Sequence, residues 1–528
     1  MRRALIALLL FAGLSIVHTW PLASAPATLS RNDSPDTVLN EWILAWDAHQ
    51  AVHDPAHFFD ANIFYPDRHT LAYSEYLIGP AIMGAPLLWL GASPVLVYNL
   101  LLLAGLTLMA WATWCVITRW TGDWLAGLVA GSIVGFNAHT LTRMPHLQAL
   151  HFEFFLVALV AFDLILSGDR RRAPLLLAIA FALQGLTSYY ALVMQTIALV
   201  VALAVRLASE GSPAPTDRRR VFAQLAIAAG IALVLMLPFL LMYHQLGEVR
   251  DIEEVALNSA TWREYLNTPA RIYASWSPRF WGGPTALFPG FIALALSVVS
   301  LVNGTVVKDV RARMIAAFGL AAVALSCGAA LPGYAWLYRV FVPLQGIRNI
   351  SRFGFLAIVS AGLLSGFALA RLRRAWVAVA LVVFVNVEAF SAPIAYTRAA
   401  PIPRLAAQLR DPNAVVAHFP FFDPFRVFHN ADYMLESTAN WRPMLNGYSG
   451  IVPNSYEEHA RELAHFPDDG SIAALRRYGV THVWVHDKLL RDWTDNETAD
   501  AVRTQRGLQL LAEEGDLKLY RVRRSDEE

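Results

Sequence analysis

Apolar stretches long enough to cross a bilayer recur from the N-terminus to about residue 392, and this succession constrains the chain more than any motif in it. A spanning helix needs about 20 mostly apolar residues, since its backbone polar groups must be satisfied internally where there is no water. The stretches fall near 4–22, 94–118, 124–138, 149–167, 173–187, 189–207, 221–243, 284–303, 312–331, 353–370 and 375–392, about eleven in all. Those at 124–138 and 173–187 are short, which tilted neighbours or local thinning accommodate. Apolar residues make up 56% of the 528 positions and charged ones 16%, against roughly 25% charged in a typical soluble chain. The chain therefore reads as a polytopic α-helical membrane protein. Its formal charge of +1 supplies no field for nucleic acid. Cys115 and Cys327, the only two cysteines, lie inside apolar runs and argue against a disulfide framework or a cysteine metal site. No Gly-rich phosphate loop stands out, which disfavours an ATP-driven motor.

Arg2 and Arg3 precede the first stretch and place the N-terminus in the cytoplasm. Counting spans forward from there tests the scheme. The loops that fall inside carry Arg119; Arg170, Arg171 and Arg172; Arg206, Arg218, Arg219 and Arg220; Lys308, Arg311 and Arg313; and Arg371, Arg373 and Arg374. Every basic cluster between spans lands on the cytoplasmic side. Residues 77–91 are apolar but short, with Pro80 and Pro86; as a full span they would turn every later cluster outward. They read as a re-entrant or interfacial segment on the outer face. The first span also resembles a signal peptide ending at Ala23, Ser24 and Ala25, although Pro26 disfavours cleavage.

Nearly all the unusual chemistry then lies outside. The scheme gives a membrane domain over 1–392, with a large first extracytoplasmic loop at 23–93 containing interfacial helices. A small extracytoplasmic α/β domain follows over 393–528, where strand-like runs at 415–419, 480–485 and 517–522 alternate with helix-like stretches. Gly447, Gly450 and Pro453 mark a turn-rich loop in it. In the first loop, Trp42 and Trp46 stand four apart and suggest an interfacial helix with an aromatic face.

Ionisable groups beside a bilayer are costly unless solvated, paired or used. Asp33 and Asp36 lie just before that helix; either serves as a general base on an acceptor hydroxyl, or as a helix cap. Asp47, Asp54, Asp60 and Asp67 read as solvated loop acids, whereas Glu75 stands at the edge of the re-entrant segment. Glu153 sits a little inside the fourth span, with Arg143 or His146 as its expected partner. Arg143 with His146 and Gln148, and Arg348 with Arg352, form two candidate anion sites, because the guanidinium fork can donate paired hydrogen bonds to a phosphate. His139, His146 and His151 match no helical ligand spacing, and the tail histidines at 418, 429, 459, 465, 482 and 486 are scattered, so no histidine metal site is expected. Carboxylates together with a phosphate suffice to recruit Mg²⁺ or Mn²⁺ without a readable motif.

A first span with its N-terminus inside, a large first outer loop with an early aspartate, many spans and an outer C-terminal domain resemble the GT-C superfamily. These are integral membrane glycosyltransferases that use polyprenyl-phosphate sugars, such as protein O-mannosyltransferases and lipid A aminoarabinose transferases. The strings DTVLNEWILAWD (36–47), DANIFYPDRHTLAYSEYLIG (60–79), VLVYNLLLL (95–103), HLQ (146–148), IRNISRFG (347–354) and NGYSGIVPNSYEEH (446–459) look more closely like a group of bacterial GT-C-like membrane proteins. The closer likeness runs from about 30 to 490. The resemblance implies a bacterial inner-membrane enzyme that carries out an inverting transfer at the extracytoplasmic face. An aspartate of the first outer loop would deprotonate the acceptor, while cationic side chains stabilise the departing lipid phosphate. Asp36 best matches that aspartate, with Asp33 its rival, and Glu75 or Glu153 assisting. The Asp-Glu pair of protein O-mannosyltransferases is absent, since Ser34 follows Asp33 and Thr37 follows Asp36.

The implied partners are a polyprenyl-phosphate sugar donor, membrane lipids and an acceptor whose identity stays open. A lipid-linked-saccharide transporter or flippase is the alternative, and a non-catalytic cell-envelope assembly factor a further one. Transport predicts ionisable groups near the bilayer midplane, whereas the acids here cluster at the outer boundary.

Overall fold

The computed structural model describes residues 1–31, 34–168, 171–209, 215–246, 250–372 and 374–527; Asp33, Arg170 and Arg373 lie outside the described residues. The chain divides into two compact units. The first comprises Met1–Pro26, Leu77–Met83 and Asn99–Ala395; the second comprises Ala27–Tyr76, Gly84–Tyr98 and Tyr396–Glu528.

Among the described residues, six helices are long and apolar enough to cross a membrane: Pro94–Thr121, Trp124–Thr142, Leu147–Leu166, Tyr189–Ala208, Arg218–Gln245 and Ile350–Arg371. Ile78–Trp89, Ala173–Thr187, Phe291–Val302 and Ala375–Ala389 are shorter apolar helices. The stretch expected at 284–303 is helical only from Phe291. Pro284 and Pro289 lack the N–H a helix would use, and Gly290 at φ 92° holds a conformation that a helix cannot continue. The N-terminal stretch forms the helix Arg2–His18 and stops before Pro21.

In the first unit the basic loops gather at one end of the bundle. Arg311 Nε donates to Asp163 Oδ1 at 2.9 Å, while Trp120 Nε1 donates to Asp163 Oδ2 at 3.0 Å. Arg313 Nη1 reaches Ser209 Oγ at 2.9 Å, and Arg371 Nη1 reaches the Asn303 carbonyl at 3.2 Å. The loops after 119, 166, 208 and 371 and the one before 310 thus share an end, as the charge pattern requires.

Between helices in lipid there is little hydrophobic drive, so close packing of small residues carries the association. Gly131 shows it: a Cβ there would come 2.5 Å from the Phe11 ring and 2.6 Å from the Ala110 carbonyl. Leu233, Val234, Leu237, Leu241, Val298 and Leu301 are exposed, an apolar surface that suits acyl chains and not water.

The second unit carries a short pair of strands, β1 (Leu29–Ser30) and β2 (Thr397–Arg398), and a sheet of order β3-β4-β6-β5, from β3 (Val416–Phe419), β4 (His482–His486), β5 (Leu508–Glu514) and β6 (Leu517–Val522). β3 and β4 are parallel, with His418 opposite Trp484, and the crossover between them carries the helices Asn430–Ser437, Asn454–Glu462 and Asp469–Arg477. Gly515 at φ 58° closes the β5–β6 hairpin. Phe419, Val483, Val485, Leu475 and Tyr520 form the core on one face.

The first-loop helix Pro35–His53 belongs to this same unit. It is buried over thirteen of its nineteen residues, Trp42 and Trp46 among them. Val38 packs with Ala431 and Leu435 of the helix Asn430–Ser437, and Tyr448 lies against them. A short pairing of Leu29–Ser30 with Thr397–Arg398 also joins the first loop to the segment after the last apolar helix.

Candidate active site

Asp36 is placed by its helix. Ser34 stands at the N-cap, Pro35 opens the first turn and Asp36 follows within it. That is one turn's interior and not the cap position, so the capping reading of Asp36 is set aside. The unpaired N–H groups and the helix dipole favour a carboxylate there. Tyr448 Oη donates to Asp36 Oδ1 at 2.7 Å, across 412 residues of sequence. Tyr448 lies in the NGYSG loop, and Asn446 fixes that loop. Its Oδ1 accepts from the His418 N–H at 2.7 Å and its Nδ2 donates to the His418 carbonyl at 3.1 Å. Asn430 Nδ2 donates to the Gly447 carbonyl at 3.0 Å, and Gly447 itself lies so close to the Phe64 ring that a Cβ would come within 2.8 Å of it.

Two further acids on this helix were underestimated from sequence. Asp47, expected to be solvated, is buried, and neither carboxyl oxygen has a hydrogen-bond partner among the described residues. Burial holds its pKa well above the carboxylate range. Glu41 Oε1 accepts from Ser30 Oγ at 2.8 Å. Burial raises the Glu41 pKa to about 8, the Ser30 hydroxyl opposes that shift, and Asp432 adds to it. Glu75 is half-buried in the segment before Ile78, in the second unit with Asp36.

The Glu41 displacement makes a stability prediction. The folded state keeps a proton that the unfolded chain loses above its ordinary value of 4.5. Glu41 therefore contributes most below that value, and stability falls as pH rises through about 8. One pKa unit corresponds to about 1.4 kcal/mol, so even half of the displacement is on the order of 2 kcal/mol. Glu41→Gln should flatten the decline in Tm between about pH 5 and pH 8, measured in detergent, and raise the Tm at the alkaline end.

The anion candidates lie in the first unit. Asn137 caps the short helix Ala138–Thr142 through a reciprocal bond with Thr140, which leaves Arg143 at its C-terminus. Arg143 Nη2 donates to the Pro284 carbonyl at 2.6 Å and to Thr285 Oγ1 at 2.5 Å. Asn349 Nδ2 reaches the same carbonyl at 3.5 Å, and its N–H donates to Tyr190 Oη at 3.1 Å. The Arg352 guanidinium lies 4.8 Å from the centre of the Tyr190 ring, and its buried Nε has no hydrogen-bond partner among the described residues. Arg143, His146 and Arg352 all act electrostatically on His139, which is buried against Phe355 with both ring nitrogens unpartnered among the described residues. Gln148 Oε1 is likewise buried and unpartnered. Arg143 and Arg352 make the site positive, and the Arg352 Nε–H and the His139 ring N–H, unpartnered among the described residues, are donors that an anionic group would complete.

Arg348 is an exposed side chain that faces Glu254 at 3.9 Å. Glu153 differs from expectation: its partner is His151, with Nδ1 2.8 Å from Oε1, and not Arg143 or His146. His151 Nε2 lies 3.1 Å from the Leu101 carbonyl, which can only accept, so Nε2 carries a hydrogen. Gln184 locks this corner by accepting from the Phe155 N–H and donating to the His151 carbonyl, both at 2.9 Å.

The backbone arrangement is shared with solved structures. The arabinofuranosyltransferase AftD from Mycobacteria superposes with TM-score 0.58 at 16% identity, covering 99% of this chain and 40% of that one. A second structure of AftD, of a variant, gives TM-score 0.62 at 16% identity over 98% of this chain and 41% of that one. The oligosaccharyltransferase AglB from Archaeoglobus fulgidus, in complex with an inhibitory peptide and a dolichol-phosphate, gives TM-score 0.51 at 12% identity over 94% and 71%. The chain has the GT-C fold. It spans about 40% of the length of AftD. No protein-family model matches the sequence, and no curated protein sequence matches it.

Within this GT-C fold, sequence reasoning missed Tyr448, Glu41, His139, Tyr190 and Asn349. Tyr448 and Asn349 do fall in the strings NGYSG and IRNISRFG that carried the resemblance, which is the one signal that could have found them. A cavity of about 510 Å³ in the second unit adds Trp46, Asp60, Asn62, Tyr65, Arg68 and Trp441. Aromatic faces beside carboxylate, amide and guanidinium groups give a surface that is apolar in part and rich in hydrogen-bonding groups.

Proposed function

We propose that the chain is a membrane glycosyltransferase. It moves a sugar from a polyprenyl-phosphate-linked donor to an acceptor at the extracytoplasmic face, with inversion. The observation that carries this reading is Asp36 at the start of a buried helix, gripped by Tyr448, in a chain with the GT-C fold. Asp36 takes the proton of an acceptor hydroxyl as the oxygen bonds to the anomeric carbon. The bond from that carbon to the donor phosphate breaks on the opposite face, and its electron pair leaves with the lipid phosphate. Arg143 and Arg352, with His139, His146 and Gln148 around them, receive the charge that develops on that phosphate. Glu153 acts through His151 and positions this corner. Arg348 remains a peripheral contact. The 510 Å³ cavity, with Trp46 and Trp441, receives part of the acceptor. Trp46 lies ten residues along the helix from Asp36, about 15 Å, which calls for an extended acceptor and not a single small alcohol. The loops that carry Arg119, Arg311 and Arg371 face the cytoplasm.

Lipids retained by the gently purified chain test this directly. Native mass spectrometry is expected to find a polyprenyl-phosphate sugar bound to the wild type. Bulk phospholipid alone, with donor lipid supplied in excess, would contradict the proposal.

A further inference from the structure

The histidines that look scattered along the tail do not stay scattered. β3 and β4 are neighbouring parallel strands, with His418 paired to Trp484. His486 lies two residues beyond Trp484, and since side chains alternate along a strand, His418 and His486 share one face of the sheet. It is the face opposite the apolar core formed by Ala417, Phe419, Val483 and Val485. The helix Asn430–Ser437 supplies Glu436 to the same place. His418 Nδ1 lies 3.3 Å from His486 Nε2, and His486 Nε2 lies 3.5 Å from Glu436 Oε2. The three ligand atoms all fall within 4.8 Å of one another.

These separations have a chemical meaning. Zn²⁺ bound tetrahedrally at about 2.0–2.1 Å by nitrogen and oxygen sets neighbouring ligand atoms roughly 3.3–3.5 Å apart. Two of the three edges already have that length, and a rotation of the Glu436 carboxylate shortens the third. We propose that His418, Glu436 and His486 form a binding site for a divalent transition-metal ion, with Zn²⁺ the best fit to two imidazoles and one carboxylate.

Several independent features support the site. Glu436 Oε2 is buried with no hydrogen-bond partner among the described residues. Asp432 and Asp516 add their negative field at Glu436, which favours a cation. The rings are also held in place. His418 stacks on Tyr433 at 4.7 Å and His486 on the same ring at 4.6 Å, while Tyr433 Oη donates to the Pro420 carbonyl. Asn446 holds the His418 backbone at both N–H and carbonyl. Such orientation of ligands by surrounding groups is what a metal site needs. Three protein ligands leave a fourth position for water. An ion here would tie β3 and β4 to the helix Asn430–Ser437, whose Ala431 and Leu435 pack on Val38 of the helix that carries Asp36.

The inference does not depend on the transferase reading, and its test needs no turnover. The tag-free full chain is stripped with a chelator, then titrated with Zn²⁺ against a chromophoric competitor, and separately with Co²⁺. One equivalent of Zn²⁺ should bind the wild type and raise its Tm. Co²⁺ should develop the intense visible absorption of a four-coordinate ion. Glu436→Gln, close to isosteric, should weaken Zn²⁺ binding by at least tenfold, as should His486→Ala. Equal Zn²⁺ binding by wild type and both variants would overturn the proposal. So would a wild-type Co²⁺ spectrum that stays that of the hydrated ion.

Discussion

Asp36→Asn is expected to lower turnover by about a thousandfold, within the range of 10² to 10⁴ that a positioned base contributes. The amide has the same shape and still accepts from Tyr448 Oη, so the helix start is kept and the loss is one of chemistry. Donor retention should be unchanged, because Asp36 acts on the acceptor. Tyr448→Phe should cost less, about tenfold. It removes one 2.7 Å hydrogen bond that aims the carboxylate while leaving the carboxylate itself. Pairing the two variants matters: a structural role for Asp36 would appear as a lowered Tm in both, whereas a base lowers kcat in Asp36→Asn at unchanged Tm. A scaffold without activity would tolerate both changes.

The arginines give the second large effect, and they separate two side chains that stand four residues apart. Arg352→Ala is expected to weaken donor retention by roughly thirtyfold, from loss of about 2 kcal/mol of charge-assisted hydrogen bonding. Arg143→Lys should do nearly as much, since an ammonium keeps the charge and loses the fork that spans Pro284, Thr285 and a phosphate. Arg348→Ala should leave retention within about twofold, because this exposed side chain faces Glu254 and exposed ion pairs are worth little. Titration of wild type and variants with a polyprenyl-phosphate sugar, read by native mass spectrometry, measures all three. Equal losses at Arg348 and Arg352 would return the site to the pairing that the sequence suggests.

Local patterns were legible where local physics decides. Residues 173–187 are helical over that very range, and the short stretch at 77–91 forms the twelve-residue helix Ile78–Trp89. The overreach at 284–303 came from counting apolar residues past Pro284, Pro289 and Gly290, where Gly290 at φ 92° marks the N-cap and the helix starts only at Phe291. Four apart means one face only in a continuous helix; between Arg348 and Arg352 the chain instead enters a 3₁₀ turn over Ile350–Phe353.

Long-range burial was not legible at all. Trp42 and Trp46 suggest an interfacial helix with an aromatic face, and the spacing carries no sign that both rings are buried. Asp47 then becomes a buried acid with no local sign of it. The partners Asp36 and Tyr448, and the trio His418, Glu436 and His486, exist only because a crossover returns the chain to the sheet.

Turnover in proteoliposomes loaded with a polyprenyl-phosphate sugar and a cell-envelope glycan extract tests the central claim most directly. Mass spectrometry follows the donor lipid on both leaflets. Wild type should convert the donor to free polyprenyl phosphate with the sugar joined to a component of the extract, while Asp36→Asn should hold the donor intact. Intact donor exchanged between leaflets by both proteins, with no polyprenyl phosphate released by either, would contradict transfer and identify a transporter instead.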